Sequence, residues 1–99
     1  MKHFLIEIVY TAIPEQIAAT TNDHRAFLQT GYDKGWLLMS GPQNPRTGGI
    51  VIARAPSLED IQAFFKNDPY AIRKLATHRF VEFEPVKHRP FLESWVNGQ

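Results

Sequence analysis

Cysteine is absent from this 99-residue chain. Disulfides and thiolate metal sites are thereby excluded, which fits a reducing compartment, and a cytoplasmic location is expected. No stretch approaches the ~20 apolar residues of a membrane span, so no membrane role is expected. Met1-Lys2-His3 leads into Phe4-Leu5-Ile6, but Glu7 breaks the apolar run and no small-residue cleavage site follows, so no signal peptide is expected. Charge of one sign is also missing. Eleven Lys/Arg against ten Asp/Glu leave a net charge of +1, and the basic residues are scattered, which gives no nucleic-acid footprint. There is no Gly-x-Gly-x-x-Gly or Walker pattern, and Gly48-Gly49 is too short to be a phosphate loop. Internal repeats and low-complexity segments are lacking as well.

What remains is an ordinary globular composition, 43% hydrophobic and 21% charged, in a length that makes one domain over residues 1–99. A domain this small buries only about 60–65% of its unfolded surface, so association with a second copy would add stability. Residues 3–10 are β-branched and aromatic, apolar on both faces except at Glu7, and read as a central strand. Pro14 and Glu15 open a helix that runs to about Lys34, with Gly35 as its stop. Residues 36–40 and 50–55 read as two strands of an antiparallel hairpin, joined by a Gly/Pro/Asn-rich loop of about eight or nine residues. Ser57 caps a second helix carrying Leu58, Ile61 and Phe64/Phe65 on one face. Asp68-Pro69 restarts a short helix, and residues 78–84 alternate as a half-exposed fourth strand.

The order is therefore β-α-β-β-α-β, the ferredoxin-like α+β pattern. Two helices cover one face of a four-stranded sheet. The apolar second face calls for a partner, and a homodimer packed face to face is expected. The tail, residues 88–99, carries Phe91, Leu92 and Trp95 and is expected to pack on the body or on the partner subunit.

One polar residue breaks the first helix's apolar stripe of Ile17, Thr20/Thr21, Phe27/Leu28 and Gly31: His24. A buried imidazole needs a partner, because an unpaired buried polar group costs about 1–3 kcal/mol. Asp68 is the conspicuous candidate. A carboxylate on one ring nitrogen leaves the other free to take a proton from a substrate. The alternative readings are a packed histidine and a plain helix cap. Ser40-Gly41-Pro42 at a strand end is either a β-turn or a pocket wall, with glycine allowing close backbone approach and Ser40 offering a hydroxyl. Arg46 in the long loop either reaches an anionic substrate group or is simply solvated, and Trp36 and Tyr70 are either pocket aromatics or core packing. His3, His78 and His88 have no metal-ligand spacing, and His78 and His88 are expected to be exposed near strand ends. No metal site is assigned.

These pieces together resemble the YciI-like (YCII-related) family: His24 followed by Phe27-Leu28, the run Gly35 to Pro42, Thr47-Gly48-Gly49-Ile50, Asp68-Pro69-Tyr70 and Glu82-Phe83-Glu84-Pro85. The resemblance spans nearly the whole chain. It implies a ferredoxin-like fold of the dimeric α+β barrel type and a His-Asp pair in a pocket, which maps onto His24 and Asp68. Many members resembling it carry an Arg three residues before the histidine. Thr21 stands there, leaving Arg25 or Arg46 to substitute. The implied function is a small-molecule enzyme without an organic cofactor. It would use the His-Asp dyad as general acid and base in a lyase, isomerase or hydrolase reaction on a small substrate, aromatic or ring-derived. The second reading is a non-catalytic ligand-binding or accessory dimeric module. A third, weaker reading is a heme-handling or oxygenase role with His24 as axial ligand.

Overall fold

Strand β1 (Lys2–Tyr10) takes an inner place in the sheet, as its two apolar faces require. It is followed by α1 (Pro14–Asp33), β2 (Leu37–Pro42), β3 (Gly48–Ala55), α2 (Leu58–Phe65), α3 (Pro69–Ile72) and β4 (Ala76–Phe83). A 3-10 turn at Pro90–Leu92 and the short α4 (Glu93–Val96) complete the chain. This computed structural model describes residues 1–99. The strands lie in the order β2-β3-β1-β4, with every neighbouring pair antiparallel. That is the ferredoxin-like α+β arrangement anticipated from the element order.

Alternation along β1 sends Phe4, Ile6 and Ile8 into the core, where they meet Ile17 and Leu28 of α1 and Ile61 and Phe65 of α2. The buried stripe of α1 is Ile17, Thr20, His24, Leu28 and Gly31. Its spacing of three and four residues keeps all five on one helix face. Gly31 is where the packing is tightest: a Cβ there would lie 2.7 Å from Leu37 and 2.8 Å from Phe64. The helix ends at Gly35, whose φ of 78° belongs to the left-handed region. Ser57 caps α2 by accepting the Asp60 N–H.

The β2–β3 connection is shorter than the loop read from composition. Both strands extend into the glycine- and proline-rich segment, which leaves only residues 43–47 between them. Pro42 fits because β2 is an edge strand, where a missing N–H costs no ladder bond on the open side. An irregularity between Leu37 and Met39 resets the pairing, so that Ser40 lies opposite Val51.

The sheet face away from α1 and α2 carries Leu5, Val9, Ile50, Ile52, Val81 and Phe83, with an ion pair from Arg79 to Glu7 among them. The tail covers one end of this face. Arg54 donates to the Trp95 carbonyl at 2.9 Å, its guanidinium lies 4.2 Å from the Trp95 ring centre, and His3 donates to the Val96 carbonyl at 3.1 Å. His88, expected to be exposed, is half-buried instead. Its Nδ1 bonds the Pro85 carbonyl and its Nε2 bonds Glu93, which together raise its pKa above the ordinary value. The physical reason is the 3-10 turn, which folds Glu93 back over the ring.

Two glycines near the β2–β3 turn differ sharply in surroundings. A Cβ at Gly48 would fall on the backbone carbonyl of Ile8, whereas one at Gly41 meets nothing within 4 Å. Gly48→Ala is therefore expected to destabilise the protein by about 1–3 kcal/mol in urea unfolding. Gly41→Ala is expected to stay within about 0.5 kcal/mol of the parent. Equal losses at both positions would contradict this packing.

Candidate active site

Asp68 stands at the start of α3, where Pro69 occupies the first helical position. Its Oδ1 accepts the Tyr70 N–H at 3.0 Å, so it is the helix cap. The same oxygen accepts from His24 Nδ1 at 2.8 Å, and Oδ2 accepts from His78 Nε2 at 2.9 Å. The carboxyl group is wholly buried, with 0% of its surface exposed. Burial alone pushes its pKa up, but the hydrogen bonds from His24 and His78, the charge of His24 and the Tyr70 N–H pull it below the ordinary value of 3.8. An ionised carboxylate accepts hydrogen bonds and donates none, so both imidazoles must present an N–H to it.

This fixes the tautomer of a neutral His24. With the proton on Nδ1, the lone pair sits on Nε2. Nε2 has no partner within the protein and is not sealed from solvent. His24 borders a cavity of about 180 Å³ between α1 and the β2–β3 end of the sheet. Its ring stacks on Tyr70 with centres 4.1 Å apart and planes 16° from parallel. Tyr70 is held from behind: Thr21 gives its single hydroxyl proton to the Ile17 carbonyl at 2.9 Å, so the Tyr70 hydroxyl must be the donor in the 2.9 Å bond between them.

Most residues expected at the site do meet there. His24, Ser40, Gly41, Pro42, Arg46 and Tyr70 all border the cavity. Trp36 does not. It precedes β2 at the end opposite Ser40, four residues or about 13 Å along the strand, and packs against Phe64 beneath the Lys34 ammonium. The Ser40 hydroxyl is hydrogen-bonded to that of Tyr32 at 2.7 Å and not to a base.

His78 is a correction. It was expected to be exposed, yet its side chain is only 8% exposed. As the third residue of β4 it shares the helix-facing side with Ala76 and Phe80, opposite Ile8 of β1. Period-two alternation from Phe80 carried that signal in the sequence. Tyr10, Thr21 and Arg25 also border the cavity. Burial raises the pKa of Tyr10, helped by the neighbouring Tyr70 phenol, while Arg46 and Arg25 pull it the other way. Tyr10, Thr21 and Arg46 further border a second, adjoining cavity of about 420 Å³ with Ala12, Pro14 and Ile17 in its wall. No group of three or more His, Cys, Asp or Glu side chains is arranged to hold a metal ion.

The YCII-related domain model matches residues 1–84. The chain belongs to the YCII-related family. A solved structure of 5-chloro-2-hydroxyhydroquinone dehydrochlorinase from Burkholderia phenoliruptrix AC1100, in complex with 2,5-dihydroxybenzoquinone, is similar at a TM-score of 0.67 and 22% identity. The match covers 90% of this YCII-related chain and 97% of the dehydrochlorinase. At that identity the likeness establishes a shared fold. No curated protein matches this chain in sequence. No helix is long and apolar enough to cross a membrane.

Because the Asp68 pKa is lower in the folded chain than in the unfolded one, its ionised form stabilises the fold above pH 3.8. That contribution fades as the pH falls from there through the lower folded value. Asp68→Asn is expected to lose about 1–3 kcal/mol at neutral pH, since one amide cannot accept from all three donors. Urea unfolding at neutral pH and at about pH 3 checks this: the gap between parent and variant narrows in acid.

Proposed function

We propose that this protein is a small-molecule enzyme in which His24 moves a proton to and from a ring-sized substrate while Asp68 orients it. The observation that carries this reading is the His24 ring itself. One nitrogen is tied to a buried carboxylate and the other is open to a cavity. A cavity of about 150 Å³ holds benzene, so about 180 Å³ suits a single substituted six-membered ring. The solved neighbour is a dehydrochlorinase, bound to a dihydroxybenzoquinone, which is a molecule of that size class.

In the proposed step His24 Nε2 takes a proton from an acidic C–H or O–H of the substrate, and the electron pair stays on the substrate as an enolate or phenolate. Asp68 stabilises the imidazolium across the 2.8 Å bond without taking the proton. His78 occupies the second carboxylate oxygen and keeps Asp68 from turning away. Lyase, isomerase and hydrolase chemistry can all use such a base. Covalent acyl transfer through Ser40 is the weaker option, because Tyr32 and not a base is its neighbour.

Turnover of a panel of hydroxylated and halogenated quinols and quinones tests the reading. His24→Ala and Asp68→Asn are each expected to lower kcat/KM by roughly 10²–10⁴ on any active substrate. Rates unchanged in both variants would remove the dyad from the reaction. The pocket would then belong to a ligand-binding or accessory module, the second reading of the sequence.

The outer sheet face supports a homodimer as part of the same proposal. Val9 is 39% exposed, Met39 56% and Phe83 41%, beside half-buried Leu5, Ile50, Ile52 and Val81. Apolar surface of this extent on a sheet with helices on one side only is relieved by a second copy. Sedimentation at micromolar concentration is expected to give a dimer, and Val81→Glu is expected to shift it toward monomer. A monomeric parent would overturn this part.

A further inference from the structure

The cavity beside His24 has an electrostatic asymmetry that proton transfer alone does not require. Two guanidiniums border it, Arg25 from α1 and Arg46 from the β2–β3 loop, and no aspartate or glutamate does. The remaining arginines of the folded body are engaged. Arg54 bonds the Gly35 and Trp95 carbonyls, Arg73 bonds Thr20 and Asp23, and Arg79 bonds Glu7. The side chains of Arg25 and Arg46, both exposed, make no hydrogen bond or ion pair within the chain. They come from different elements yet border the same cavity, and the charge of each lowers the pKa of Tyr10 in its wall against the raising effect of burial. The other polar side chains cannot take over the role of charged donor. Thr21 spends its proton on the Ile17 carbonyl and Tyr70 spends its own on Thr21.

We propose that the cavity selects a ring-sized organic anion, its carboxylate or acidic enolate held by Arg25 and Arg46 with the ring beside His24. This rests on the cavity being a small-molecule site and deepens that reading by naming the charge of the substrate. A guanidinium matches a carboxylate in shape and offers paired N–H donors to it. The site also has a catalytic logic. A substrate that already carries one negative charge gains a second when His24 takes its proton, and two fixed cations stabilise the doubly charged species more than the singly charged one. Arg46 further borders both this cavity and the adjoining one, with Tyr10 and Thr21, so the anionic end lies where the two meet.

The test uses benzoate and its neutral analogue benzyl alcohol as probes, with binding followed by amide chemical shifts at Gly41, Gly49 and Val51. Benzoate is expected to bind at least about tenfold more tightly than benzyl alcohol, as a charge-assisted bond worth about 1.4 kcal/mol or more requires. Arg25→Gln with Arg46→Gln is expected to abolish the preference, bringing the benzoate affinity down to that of benzyl alcohol in the same variant. Neither arginine bonds anything in the chain, so the amide spectrum of the double variant is expected to stay dispersed. A salt titration of the parent protein gives an independent measure: benzoate affinity falls as ionic strength rises and benzyl alcohol affinity does not. Equal affinity for the two probes, a preference that survives the double variant, or no shift with benzoate would each overturn the proposal. The readout is binding and not turnover. A failed dyad test at His24 with an intact benzoate preference therefore separates the two readings.

Discussion

One buried carboxylate ties together three parts of this molecule. Asp68 accepts from His24 on α1, from His78 on β4 and from the backbone that begins α3. A charge with no exposure to water is tolerable only when its lone pairs are satisfied, and here each oxygen has at least one N–H donor. Removing any one donor leaves a buried acceptor short of a partner, so the three elements hold one another in register. The long helix cannot roll about its axis without pulling His24 from Oδ1, and β4 cannot slip by one residue without turning His78 to the opposite sheet face.

The sheet register is what brings these groups within reach. Ile8 of β1 lies opposite His78 of β4 on one side and Gly49 of β3 on the other. The cavity-bordering residues Ile8, Gly49 and Pro42 are thus neighbours across three adjacent strands. Above them the buried stripe of α1 presents His24 in its centre. Tyr70, two residues after Asp68, then closes the back of the site by stacking on the imidazole. Helix cap, stacking partner and hydrogen-bond acceptor for the histidine all come from the stretch Asp68-Pro69-Tyr70.

Much of this was legible in the chain because the signals were local. A run apolar on both faces except at Glu7 marked β1 and its inner position, the 3.6-residue stripe marked α1 and the odd polar member in it, and Asp before Pro marked a helix start. The resemblance to the YCII-related family joined His24 to Asp68, which no local pattern does. What escaped depended on direction and length. His78 lies near the start of β4, and only the pleat decides whether such a residue faces the core or water. The β2–β3 connection looked longer than it is because Gly41, Pro42, Gly48 and Gly49 are turn formers in most settings, yet an edge position and close backbone approach let them join strands. Trp36 was a candidate pocket aromatic, and an extended strand puts it at the end opposite Ser40, where it packs on Phe64.

The stacked pair of His24 and Tyr70 carries a stereochemical consequence for the proposed reaction. With one flank against the phenol and Nδ1 fixed on Asp68, the imidazole offers its Nε2 edge as the basic atom toward the cavity. A ring bound there meets its base from one side. Hydrogen would then leave and return on the same face, and a label removed from a prochiral carbon would come back with its configuration retained. In the proposed reaction the handedness of the product would follow from how one histidine is held between a tyrosine and a carboxylate.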